Sequence, residues 1–540
     1  MRRQAGTVVG ALVALLVVGG APAAATEEAS SAASTIPVPP LSWAACGLTE
    51  EATAADVQCA TAGLPLDYDE PAGKQVQIAV AKVPATDPAN RIGSLFLNFG
   101  GPGGPAVDYL QAAGAGLFAT LNQRFDIVAF DPRGVGQSTP RIDCQVDERT
   151  ADFYPSPAPT PLDVDVEELV SGAQRYVDAC VAANGELLEH VSTANVARDM
   201  DALRGAVGDE QLSYLGFSYG TFLGATYASL FPDRYRAMVL DGALDPTEYI
   251  TDPVGLSTAQ ASAFELALTR FTEACAVDQV ACSGFGGTDP YLAYDRLLAA
   301  AAAAPLPADG YPADPTPVTA DDIRAVTLTL LYSKQNWGQL AALLASAQAG
   351  DGSPIRAILD LIVNSDEVGS DPFLSISAGE QQWPRDIQEY LDRGAEEWVA
   401  FPHFWASFAY AEVPLALWPA RDEDAFAGPF EVPATSPAPL VIGTTYDPAT
   451  PYRWSLQMVE DLGNATLLTM EGDGHTAYGG NSACIDTATE AYLVDVTLPA
   501  PGTVCTQEVP FTAFDFTDAA SGAGVLTARP ISRALLTSGR

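Results

Sequence analysis

The sequence predicts an α/β fold: a mostly parallel sheet with helices on both faces and a large inserted helical cap domain. Three observations carry the prediction. Short apolar runs alternate with helical stretches up to about residue 240, Ala- and Leu-rich helical segments then replace them, and strand character returns near residue 440. At 540 residues, with 48% hydrophobic and 17% charged residues, the chain is globular and too long for one small core, so two units are expected.

Residues 1–25 read as a secretory signal peptide, because Arg2 and Arg3 precede an apolar run over 8–18 and small residues follow at Ala21, Ala23, Ala24 and Ala25. That run is shorter than the roughly 20 apolar residues of a membrane span. Cleavage near 24–26 is therefore expected, against the alternative of an uncleaved anchor. Residues 26–42, small, polar and Pro-rich, read as a flexible leader. The first part of the core occupies 43–250, with candidate strands at 76–83, 94–98, 125–130, 212–215 and 238–240. Apolar runs this short, separated by helices, suit strands covered on both faces. Residues 251–430 form the helical cap, with segments at 261–275, 291–304, 320–332 and 339–349, before a Pro-rich stretch over 429–439. The core resumes over 431–510, with strands at 440–444 and 465–469, and the tail over 511–540 carries no signal.

Eight cysteines in an exported chain point to disulfides, expected between sequence neighbours: Cys46 with Cys59, Cys144 with Cys180, Cys275 with Cys282, Cys484 with Cys505. Spacing alone leaves connectivity open. No C-x-x-C or paired-histidine spacing suggests a metal. A net charge of −42 disfavours nucleic acid and anionic membranes as partners and suits an extracellular or cell-wall-associated protein, expected to be monomeric.

The chemistry centres on Gly216-Phe217-Ser218-Tyr219-Gly220, placed between a strand and a helix. In that context G-x-S-x-G forms a sharp turn that lifts a serine oxygen above the sheet. A serine hydroxyl needs a base, and the chain has three histidines. His190 precedes a helix and His403 lies in the cap, whereas His475, in Gly472-Asp473-Gly474-His475, follows a late strand and is the candidate base. The order Ser, acid, His of the α/β-hydrolase plan selects Asp447, just after the strand at 440–444, with Asp473 as its rival. Backbone donors for an oxyanion are expected from Tyr219 and from Gly101 or Gly100 in the glycine-rich loop at 98–104. No G-K-[ST] follows that loop, which argues against phosphate binding.

Taken together, Gly100-Gly101-Pro102-Gly103-Gly104, Asp131-Pro132-Arg133-Gly134-Val135-Gly136-Gln137-Ser138, Gly216 to Gly220, Phe231-Pro232-Asp233-Arg234, Asp447-Pro448-Ala449-Thr450-Pro451 and Gly474-His475 resemble the secreted tripeptidyl aminopeptidases, proline-iminopeptidase-like serine peptidases of the α/β-hydrolase fold. The resemblance runs from about Trp43 to Cys505. It implies release of short peptides from free N-termini, with no metal or organic cofactor. Related envelope enzymes of this appearance are carboxylesterases, which stands as the alternative. The sequence departs from the family at Phe99 and Pro105-Ala106, beside the glycine loop, and at Ala378-Gly379-Glu380 in the cap. Glu380 is a candidate for binding the substrate ammonium, or else a solvated cap residue.

Overall fold

The computed structural model describes residues 38–146, 160–363, 370–419 and 421–514, so the expected signal peptide, most of the leader and the tail beyond residue 514 lie outside the described residues. Among these, ten strands form one sheet: β1 (Ala44–Ala45), β2 (Gln58–Pro65), β3 (Gln75–Val83), β4 (Gly93–Asn98), β5 (Phe125–Phe130), β6 (Leu212–Phe217), β7 (Tyr235–Asp241), β8 (Leu440–Tyr446), β9 (Thr466–Asp473) and β10 (Val504–Thr506). Their order is β1-β2-β3-β5-β4-β6-β7-β8-β9-β10. The first four in that order pair antiparallel. Every later pair is parallel. β6 is buried along its whole length and β4 everywhere but its first residue, so both faces of the parallel region are covered, as continuous apolar runs require.

Strands β1, β2 and β10 lie outside the predicted runs. β2 reads Gln-Cys-Ala-Thr-Ala-Gly-Leu-Pro, small residues with little intrinsic strand preference. What makes it a strand is an unbroken antiparallel register on β3, from Gln58 opposite Lys82 to Pro65 opposite Gln75.

Between Asp241 and Leu440 the described residues form helices and no strand. Three of these helices start on Asp-Pro: Asp245, Asp252 and Asp289 each accept a backbone N–H three residues on, while the following proline supplies a preset φ at a position that needs no N–H. Thr319 and Asp322 form a capping box at a fourth. Phe264, Leu268, Phe271, Ile323, Leu330 and Leu340 fill the core of the inserted block, and Ala449, from the loop after β8, joins the same cluster. Phe511, from the segment read as a tail, packs on Phe271 and Trp337.

The described residues all fall within one compact unit of the chain. Polar ties explain part of this. Asp371, in the inserted helices, accepts the Cys144 N–H and the Tyr176 hydroxyl, both at 2.6 Å. The cysteines pair as neighbours: Cys46–Cys59, Cys144–Cys180, Cys275–Cys282 and Cys484–Cys505. No helix among the described residues is long and apolar enough to cross a membrane.

Candidate active site

β6 runs into Ser218, whose φ of 55° and ψ of −127° are conformations an L-residue rarely adopts. The flanking glycines make the turn possible. A Cβ on Gly216 would stand 2.4 Å from the Gly220 carbonyl oxygen, and one on Gly220 would stand 2.8 Å from the Asn98 carbonyl oxygen. The turn is fixed by the Ser218 N–H donating to Asp241 O at 3.0 Å, and by the Thr221 N–H and hydroxyl donating to Ser218 O.

His475 stands beyond β9, two parallel strands from β7. Both carboxylate oxygens of Asp447 lie 2.9 Å from its Nδ1. The same carboxylate accepts the backbone N–H groups of Ala449 and Thr450 and the Thr450 hydroxyl, at 2.8 to 3.0 Å, and the Thr476 N–H at 3.3 Å. Five donors around one carboxylate fix its orientation and, through Nδ1, the tautomer that leaves Nε2 as acceptor. Nε2 is buried and has no hydrogen bond, so its contact with Ser218 is not closed in this structure. Such contacts commonly tighten only when substrate binds.

The rival acid, Asp473, faces elsewhere. Lys334 donates to one of its oxygens at 2.9 Å and Arg270 to the other, and the Arg270 guanidinium lies over the Tyr446 ring. Both cations come from the inserted helices. The same segment holds the His475 backbone: Tyr332 O accepts the His475 N–H at 2.6 Å, Ser333 and Gly474 form an antiparallel bridge, and the Tyr332 ring meets the imidazole edge to face.

The glycine-rich loop after β4 lies against the serine turn, since a Cβ on Gly100 would stand 2.8 Å from Ser218 Cβ. The Gly100 N–H donates to Asn98 Oδ1 at 3.0 Å, which removes it as an oxyanion donor. The Gly101 N–H has no acceptor among the described residues. The Tyr219 N–H opens helix Tyr219–Leu230 and has no carbonyl one turn back. Beside the loop, Asp131 accepts the N–H groups of Ala106, Val107 and Gln137, and burial pushes its carboxyl up to about 6. Arg133, next in that motif, is fully buried, pairs with Asp199 through two nitrogens, and donates to the carbonyls of Pro65, Leu66 and His190.

His403 is held between Glu265 and Asp295 inside the inserted block, which explains its burial without chemistry. His190 is half-buried near Asp67 and Asp424, and one ligand atom from each of the three lies within 4.8 Å of the others. The Arg198 guanidinium, 3.6 Å from the Asp424 carboxylate, already places a cation there.

Glu380 is 1% exposed and not solvated. Its Oε2 accepts the Thr193 N–H at 2.8 Å, and its Oε1 accepts the Thr193 hydroxyl at 2.9 Å and the Tyr249 hydroxyl at 2.8 Å. Protein donors thus occupy both oxygens, and burial pushes the carboxyl up to about 7.

One acid at the strand edge was not among the sequence candidates. Asp241, at the end of β7, is fully buried and accepts the N–H groups of Ala477 and Tyr478 at 2.8 to 3.0 Å, pinning the loop that carries His475. Burial pushes it up to about 7. The available signal was an acid ending an apolar strand run directly before a glycine.

Residues 95–481 match the family model for the alpha/beta hydrolase fold. The chain is 34% identical over 468 residues to serine protease Hip1 of Mycobacterium tuberculosis, covering 83% of this chain and 87% of that relative. It is 33% identical over 490 residues to carboxylesterase B of the same organism, covering 86% and 90%. To tripeptidyl aminopeptidase of Streptomyces coelicolor it is 30% identical over 452 residues, covering 81% of each.

Proposed function

Because this chain belongs to the alpha/beta hydrolase serine peptidase family and is a serine hydrolase, we propose that it is a secreted exopeptidase that releases short peptides, tripeptides foremost, from free N-termini. Ser218 attacks the scissile carbonyl carbon while His475 Nε2 takes the hydroxyl proton, and Asp447 stabilises the resulting imidazolium. The Tyr219 and Gly101 N–H groups receive the oxyanion. The imidazolium returns its proton to the leaving amine, and water, activated by the same base, releases the acyl group from Ser218. His475 takes the Ser218 hydroxyl proton as the neutral imidazole.

The observation that carries an exopeptidase rather than an endopeptidase reading is the seat of the inserted helices on the histidine loop, through Tyr332, Ser333 and Lys334. On this reading, a block fixed there limits approach to a chain end. Export is supported by four disulfides, which persist in oxidising compartments. The relative named carboxylesterase B favours a second reading, ester hydrolysis by the same three residues.

Hydrolysis of Ala-Pro-Ala-p-nitroanilide, of its N-acetylated form and of p-nitrophenyl butyrate separates the two. We expect the free-amine peptide to be cleaved and the acetylated one to resist. Indifference to acetylation, or preference for the ester, would replace this reading with the esterase.

A further inference from the structure

A buried polar chain joins Glu380 to the residue that follows Ser218. The Thr193 hydroxyl, which gives its single proton to Glu380, also hydrogen bonds the Tyr219 hydroxyl, so Tyr219 is the donor in that pair. Glu380 ends helix Asp371–Glu380 of the inserted block, Thr193 opens helix Thr193–Ala206, and Tyr219 opens the helix behind the serine turn. Tyr219 is 3% exposed, with its ring 6.0 Å from Tyr249 and 6.1 Å from Phe222. The Tyr249 hydroxyl completes the network on the other side of Glu380.

Tyr219 is held at two places. Its N–H is the first of its helix and makes no intrahelical bond, and the residue before it sits at φ 55°. The Ser218 carbonyl, in the same peptide plane, accepts from Thr221 and sets the direction of that N–H, and the ring pinned at its far end adds a second restraint on the residue.

We propose that Glu380 and Thr193 are positioning residues for the oxyanion hole, which hold the Tyr219 N–H in place through the Tyr219 hydroxyl. The assignment rests on the reading of Ser218 as nucleophile. It replaces an ammonium-binding role for Glu380, because a substrate cation would have to displace protein donors from a fully buried carboxylate. It also means that the inserted helices contribute to transition-state stabilisation, and not only to access.

The test is kinetic, on Thr193→Val, Tyr219→Phe and Glu380→Gln, with kcat and KM measured separately and the rate of labelling by a fluorophosphonate measured alongside. Complete loss of one oxyanion donor costs about 10²–10³-fold, so a misaligned one is expected to lower kcat roughly tenfold. The fluorophosphonate rate should fall in parallel and KM should stay within about twofold. Thr193→Val combined with Tyr219→Phe should be no worse than either alone, since both break one link. Thr193→Ser restores the hydroxyl and should restore kcat, which a general packing role would not produce. Undiminished labelling and kcat in Thr193→Val, or additive losses in the double variant, would overturn the proposal. So would a KM increase in Glu380→Gln confined to free-amine peptides. Labelling requires no free amine, so failure of the exopeptidase reading leaves this test decisive, whereas persistent labelling of Ser218→Ala would refute the nucleophile assignment itself.

Discussion

Asp447 finds two of its donors within three residues of itself, at Ala449 and Thr450, whereas Glu380, Asp371 and Asp422 in the inserted block reach donors 187 to 230 residues away, at Thr193, Cys144 and Ser192. At the edge of the sheet the tight turn after β8 supplies much of its own acid's hydrogen bonding. The inserted helices are capped locally, but their seat on the rest of the chain depends on acids whose donors arrive from far along the sequence. A turn at the sheet edge is therefore robust to change elsewhere, while the seat of the inserted block depends on many distant residues being right together.

The sharpest way to test this division is to remove groups from each side. Ser218→Ala should abolish turnover, by at least about 10⁴-fold, with Tm and fluorescence unchanged. Asp447→Asn should cost kcat about 10⁴-fold by releasing the wrong tautomer of His475. Asp473→Asn, two residues from the same histidine, should cost far less, about tenfold in kcat. Its loss of the Arg270 and Lys334 pairs should lower stability by about 1–2 kcal/mol in chemical unfolding, since both cations are partly exposed. If the two asparagine variants were equally inactive, Asp447 would lose its special place.

The smallest expected effect concerns pH. Asp241, Glu380 and Glu412 are pushed up to about 7 by burial, above the ~4 of an unfolded carboxyl. The native state then retains protons that the unfolded state has lost. The stability these groups contribute is complete below about pH 4 and disappears as pH rises through about 7. Tm should fall between about pH 5 and 8, and Asp241→Asn should make that decline shallower, because Glu380 and Glu412 still titrate. An unchanged slope in Asp241→Asn would show that Asp241 does not take part.

The same contrast explains what could be read in the sequence. Ser218, Asp447 and His475 each sit just past a strand in a turn marked by its own glycines or prolines, so type, spacing and order were enough to choose them. What sets Asp473 apart from Asp447 had no local mark, because Arg270 and Lys334, which occupy the Asp473 carboxylate, lie 203 and 139 residues from it in the chain. Thr193 and Tyr332 had no local mark at all. Glu380 was visible as an acid in an unusual position, but its partners were not, and a carboxylate without known partners resembles a ligand for substrate. Among the strands, β2 was hidden because its small residues express no preference until β3 provides a register.

The bridge between Ser333 and Gly474 also bears on how such an enzyme can be redesigned or diversify. An inserted block that receives the backbone N–H of His475, the proposed general base, is not an exchangeable module. A donor block grafted from a relative would have to bring a carbonyl to the place of Tyr332 and a cation to that of Lys334, so new substrate preferences are more readily acquired by changing side chains within the present block than by replacing it.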